Sequence, residues 1–183
     1  MHGALLRLRE YMESSDPLVT IAGVIAVLLA ANEPFYSIFL RVFVGVTTWT
    51  ALLALLPVPF YAVVPAVARR HSLVGRVMLP IVGVANVLLW LKLFGSASGV
   101  ELYLFVCILL GAVLPRTGER LKMAAALALA LIVYLAIGRR LEPVQTLSTE
   151  AYALFAAVNA FSVAILIAVI GLMLSLILAA RRV

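Results

Sequence analysis

From Ala151 to Ala180 the chain carries no Asp, Glu, Lys or Arg, a run of 30 residues. As a helix it would reach about 45 Å at roughly 1.5 Å per residue, whereas the hydrocarbon core of a bilayer is about 30 Å thick. Such a run needs an apolar solvent along its whole length. The chain cannot supply one itself: of its 183 residues 66% are hydrophobic and 12% charged, against about 45–50% and about 25% in soluble domains. Lipid must solvate the outside. The apolar runs are continuous and not alternating, which excludes a membrane barrel and leaves helices. The expected fold is therefore all-α: a polytopic membrane protein, a six-helix transmembrane bundle.

The expected spans are 17–32, 36–56, 77–95, 100–115, 121–138 and 151–180. Residues 1–16 form a cytoplasmic N-terminal segment, 17–180 the membrane domain, and 181–183 the start of a cytoplasmic linker. The charges within the first 16 residues, with no small-x-small cleavage site after them, argue against a cleaved signal peptide. Pro57, Pro59 and Pro65 in "PVPFYAVVPAVARR" argue against a long helix after the second span. Residues 57–68 are read as interfacial, with a re-entrant segment as the alternative.

Lys and Arg set the orientation. Arg7, Arg9, Arg69, Arg70, Arg76, Arg116, Arg120, Lys122, Arg181 and Arg182 fall on one side, and Arg41, Lys92, Arg139 and Arg140 on the other. The larger group marks the cytoplasm, so both termini are expected there, in the inner (plasma) membrane. The net charge of +6 sits in these short clusters and is no nucleic-acid signal. "NEPF", "SASG" and "RRLEPVQTLSTE" are then outer loops, and Glu33, Glu101, Glu142 and Glu150 lie on the outer side. In the last of them Ser148 or Thr149 is placed to cap the final helix, with Glu150 in its first turn. Gly95 and Gly99 bracket one outer turn, and "PRTGER" makes a tight inner one.

Little here carries catalysis. His2 and His71, the only histidines, lie outside the expected spans, so a membrane haem lacks its ligands. No His, Cys or carboxylate cluster suggests zinc, and no cofactor or catalytic residue is expected. The lone Cys107 reads as a small buried apolar residue. Ionisable groups within spans default to functional candidates. Arg41 and Lys92 lie near outer ends, where they can snorkel, pair with Glu33 and Glu101, or line a pocket that opens outward. Asn86 and Asn159 sit mid-span, where an interhelical hydrogen bond explains them as well as a ligand does. The candidate ligand site is thus Glu33, Arg41, Asn86, Lys92, Glu101 and Asn159. Trp90, Tyr36 and Tyr103 read as interfacial aromatics. No acidic residue is expected deep in a span and the two halves show no repeat, which weighs against a transporter.

If the last helix starts near Tyr152, hydrocarbon ends near Gly171 and the residues beyond need another partner. Leu172, Leu176 and Ala179, extended by Ile177 and Ala180, form a stripe suited to a second copy of the helix. Tilt absorbs only part of the excess length.

The stretches "DPLVTIAG", "PFYSIFLR", "LPVPFYAVVP", "MLPIVGVANVLLWLKLFG" and "SGVELYLFVCILLGAVLP" come in an order that resembles the six-span N-terminal modules of bacterial signalling proteins. Class III adenylate cyclases, diguanylate cyclases and autoinducer-sensing hybrid histidine kinases carry them. The resemblance implies a homodimer whose sixth helices lead into a coiled coil and a cytoplasmic output domain, and a receptor for a small or lipophilic ligand. The alternatives are a small transporter or channel subunit, or a structural assembly subunit of the membrane.

Overall fold

The computed structural model describes residues 2–180. The described residues are helical throughout, with no strand among them. A short helix α1 (His2–Met12) precedes Asp16, whose carboxylate accepts the Leu18 N–H at 3.0 Å and caps α2 (Pro17–Phe39), with Pro17 at the first helical position. The chain then continues through a π-helical turn, Leu40–Val44, and stops at Gly45, which has φ 77°. Only glycine takes that conformation without strain. Thr47 caps the short α3 (Thr48–Leu53), and α4 (Val58–Arg70) follows. Then come α5 (Ser72–Phe94), α6 (Tyr103–Val113), α7 (Arg120–Ile137) and α8 (Thr149–Ala180).

Five helical stretches are long and apolar enough to cross a membrane: Pro17–Val44, Thr48–Arg70, Ser72–Phe94, Thr117–Ile137 and Thr149–Ile177; Val100–Val113 is shorter. Helices lie over the ranges expected for the last four of the six spans. The first two differ. No loop forms at "NEPF", because α2 runs straight through it with Pro34 inside. Proline there removes only its own bond to the Ala30 carbonyl. Opening the helix in hydrocarbon would strand several backbone groups at several kcal/mol each. The hairpin falls at Gly45 instead. Residues 57–68, expected to break from the second span, fall within the candidate span Thr48–Arg70. They form most of α4, which packs along α2 more extensively than any other pair of helices. Pro57 and Pro59 occupy the cap and first turn, where a missing N–H is harmless.

Successive turns fall alternately at two ends of the bundle. At one end Asp16 meets Arg116 Nη2 at 2.6 Å and Ser72 Oγ at 3.0 Å. Burial acts to raise the Asp16 carboxyl, but hydrogen bonds from Arg116, the Leu18 N–H and Ser72 outweigh it and hold the group below the usual aspartate value. Beside it lies Arg76, wholly buried. Its Nε donates to the Ser72 carbonyl at 3.1 Å, its Nη1 to the Leu114 carbonyl, and both Nη atoms reach Glu119, at 2.8 and 3.0 Å. This one side chain ties α5 to the turn between α6 and α7. At the other end, Gln145 Oε1 accepts from Thr50 Oγ1 at 2.8 Å and from the Thr47 N–H at 3.2 Å, pinning the 141–148 loop over the Gly45 hairpin. Gly95 (φ 77°) and Gly99 (φ 72°) shape the turn before α6, and Ser148 Oγ accepts the Ala151 N–H at the start of α8.

Two apolar clusters fill the interior. One lies toward the Arg76 end around Ile21, Ile25, Tyr61, Leu79, Leu110 and Met123. The other is aromatic and lies toward the Gln145 end. In it Tyr36, Trp90, Phe94 and Phe155 meet with ring centroids 5.2–6.0 Å apart. The stretches containing α2, α4 and α5 have 39–44% of their residues buried in their most apolar windows, whereas those of α7 and α8 have 17% and 11%. Of α8, Phe155, Asn159, Val163 and Ile170 are buried, and Ala151, Val158, Leu166, Met173, Leu174 and Ile177 pack on the clusters half-buried.

The far end of α8 corrects a sequence expectation. Met173, Leu174 and Ile177 pack on the chain's own inner cluster, so they need no second copy to shield them. Leu172 and Leu176 do remain about 60% exposed, so the expected stripe divides. Among the described residues α8 is the longest helix, with 32 residues against 28 for the stretch Pro17–Val44. Arg181 and Arg182, the linker expected at 181–183 and the side chain of Ala180 lie outside the described residues.

Candidate functional site

Between the two clusters lies a cavity with room for a few water molecules, about 40 Å³. Helices α2, α4, α5, α6 and α8 all contribute to its wall. Helical spacing aligns the contributors in pairs: Glu33 and Tyr36 on α2, Asn86 and Trp90 on α5, Tyr103 and Cys107 on α6. Tyr61 comes from α4 and Asn159 from α8. Gly83 opens the space between α5 and α6, since a Cβ there would sit 2.6 Å from Cys107 Sγ. Leu29, Leu79, Val106 and Leu110 complete an apolar wall.

Glu33 is the central group. It is 6% exposed, and Asn86 Nδ2 donates to its Oε1 at 3.0 Å and also lies 3.4 Å from the Tyr61 hydroxyl. Tyr36 OH donates to Asn159 Oδ1, and Asn159 Nδ2 donates to the Ser98 carbonyl at 2.8 Å. A hydrogen-bonded chain therefore runs from α2 through α8 to the turn before α6. Three buried side-chain atoms lack a partner: Glu33 Oε2, Asn86 Oδ1 and Ser37 Oγ. An unmet buried acceptor costs about 1–3 kcal/mol. Two of the three, on Glu33 and Asn86, belong to residues of the cavity wall.

Of the six residues singled out in the sequence, the fold gathers Glu33, Asn86 and Asn159 in this wall and leaves the other three outside it. Arg41 is exposed and bonds Thr48 Oγ1 at 3.2 Å. Lys92 Nζ donates to the Glu142 carbonyl at 2.9 Å, holding the 141–148 loop. Glu101 accepts from Tyr134 in a groove between α6 and α7. Among the described residues neither Arg41 nor Lys92 forms an ion pair with Glu33 or Glu101. The pocket thus encloses a carboxylate inside the bundle and does not open outward through two cations.

Glu33 overturns a second expectation. With α2 continuous to Phe39, it lies well inside an apolar helix and not in an outer loop, so an acidic residue does occur deep in a candidate span. Tyr36, Tyr61 and Tyr103 were not recognised as site residues. Their three- and four-residue spacing from Glu33 and Cys107 was the available signal for two of them. No family model, curated protein or solved structure matches the chain.

Proposed function

We propose that the chain is the membrane receptor and anchor module of a bacterial signal-transducing protein, and that its ligand occupies the Glu33 cavity. In this reading Val100–Val113 crosses the membrane with the five longer stretches, giving six spans, and both termini lie in the cytoplasm. The excess of Lys and Arg at the Arg76 end supports that orientation. The module dimerises through α8, whose Leu172 and Leu176 are free to meet a second copy, and α8 leads to a cytoplasmic output domain such as a cyclase.

One observation carries the reading: Asn159 of α8 belongs to the cavity wall and is bonded to Tyr36 of α2. A ligand there touches the helix that would transmit the signal, and it shifts the equilibrium between two positions of α8 by its difference in affinity for them. The test is disulfide crosslinking in native membranes, with Leu172→Cys or Leu176→Cys in a Cys107→Ala background. The proposal expects crosslinked dimers at both positions and a changed yield when Asn159→Ala is added. Absence of dimers, or a yield indifferent to Asn159, refutes it.

A second reading, a small transporter or channel subunit, draws support from the buried Glu33, since mid-span acids commonly serve ion pathways. It expects flux through liposomes that contain this chain alone, where the receptor reading expects none.

A further inference from the structure

Sorting the polar atoms of the cavity by hydrogen-bond role narrows the chemistry of the guest. Three donors on the wall are engaged: Asn86 Nδ2 with Glu33 and Tyr61, Tyr36 OH with Asn159, Asn159 Nδ2 with the Ser98 carbonyl. What remains unmet on the wall, Glu33 Oε2 and Asn86 Oδ1, is a pair of acceptors. A carboxylate and an amide oxygen can be satisfied only by a group that brings N–H or O–H donors, or by a cation. Glu33 takes part in none of the ion pairs among the described residues. A carboxylate enclosed by apolar groups gains most from a partner that brings positive charge as well as donors.

The walls decide between kinds of cation. Hard metal ions collect about six or more oxygen ligands, whereas this wall holds two unpartnered acceptor atoms. Four aromatic rings line the same space, those of Tyr36, Tyr61, Trp90 and Tyr103. Aromatic faces attract organic ammonium groups, by about 2 kcal/mol or more once water is excluded. The remaining wall is aliphatic, and the room available limits a guest to a few heavy atoms.

Resting on the reading of this cavity as a binding site, we infer that its ligand is a small alkylammonium ion, with its head against Glu33 Oε2 and Asn86 Oδ1 and its alkyl part against the aliphatic wall. The ammonium supplies the missing donors and the missing charge together, and the rings shield it from the bilayer.

The experiment uses the full chain in lipid nanodiscs. The chain has two tryptophans. Trp49→Phe leaves Trp90, in the cavity wall, as the only emitter. Methylammonium, ethylammonium and propylammonium chloride are titrated against sodium chloride at equal ionic strength and against 1-propanol, the neutral counterpart of propylammonium in size. The inference expects a saturable change of Trp90 emission with the ammonium salts and none with sodium or propanol. Glu33→Gln should weaken binding at least about thirty-fold, as loss of one partner of a buried charge pair does. Glu101→Gln, outside the cavity, should leave it unchanged. Saturation by propanol and not by ammonium overturns the ammonium assignment while the cavity still stands as a site. Equal saturation by sodium, or undiminished ammonium binding in Glu33→Gln, overturns it too. Saturation by none of the probes overturns both readings. Should Glu33→Gln not fold, the comparison of ammonium with propanol on the otherwise native site still decides.

Discussion

Replacing Arg76 with methionine tests the architecture independently of any function. Methionine keeps an apolar stem as far as the Nε position but removes the guanidinium and every donor. Four things are lost together: the two-atom contact with Glu119, the bond to the Leu114 carbonyl, and the bonds to the Ser72 carbonyl and to its hydroxyl oxygen. Removing one partner of a fully buried ion pair costs about 3–5 kcal/mol. The Glu119 side chain is 20% exposed and can recover some water, which places the loss at the low end, about 3 kcal/mol. Reversible unfolding in mixed micelles, with SDS as denaturant, reads that quantity. Glu119 also accepts the Arg116 N–H at 2.9 Å, so a single Glu119→Gln change mixes two effects. The double-mutant cycle Arg76→Met with Glu119→Gln separates them and should give a coupling of about 1–3 kcal/mol. A loss below about 1 kcal/mol for Arg76→Met, or zero coupling, would mean that this side chain does not hold the α6–α7 turn to α5. The packing described for that end would then be wrong.

Three further outcomes follow from the geometry. Gly83→Val places side-chain atoms where Cys107 Sγ lies; it should lower stability by about 1–3 kcal/mol through overpacking, read by thermal melting, and abolish any Trp90 response to ammonium salts. The Asp16 carboxyl is lowered in the fold, so its contribution is fully present above the unfolded value of about 3.9 and is lost as pH falls through the lower folded value. Melting temperature should drop with acidification below about pH 4, and Asp16→Asn should flatten that part of the curve. Gln145→Ala frees the 141–148 loop from Thr47 and Thr50; hydrogen exchange at Val144 and Gln145 should accelerate while that in α5 stays unchanged.

The apolar stretches were legible because lipid leaves so few alternatives. The turns at Gly95, Gly99 and Ser148 were legible because their local chemistry is the same in water and in membrane. The errors share one cause. Pro57, Pro59 and Pro65 were read by rules that hold where water replaces a missing hydrogen bond, and "NEPF" was read as a loop. In hydrocarbon nothing replaces such a bond, and the helix persists. Reading "NEPF" as a loop concealed the one buried acid of the cavity. Asn86 and Asn159 stood out because amides are rare in apolar runs. Tyr36 and Tyr103 did not, because an aromatic hydroxyl suits a lipid interface and an internal hydrogen bond equally well. Arg76, next to a turn, resembled a solvated cation, and only the fold shows the Leu114 carbonyl and the Glu119 carboxylate converging on it.

The cavity and α8 are linked by more than adjacency. Between membrane helices no hydrophobic force acts, because lipid is as apolar as the side chains; packing and hydrogen bonds hold them together. Helix α8 buries only three apolar residues beside Asn159, and its other packed residues stay half-exposed. Asn159 holds it from two directions, through Tyr36 and through the Ser98 carbonyl. Interhelical bonds of this kind are worth about 0.6–2 kcal/mol each, a large share of what so few buried residues supply. Helices α2, α4 and α5 are buried far more deeply against one another. In the receptor reading, a change at Glu33 that moves Tyr36 acts on α8 through Asn159.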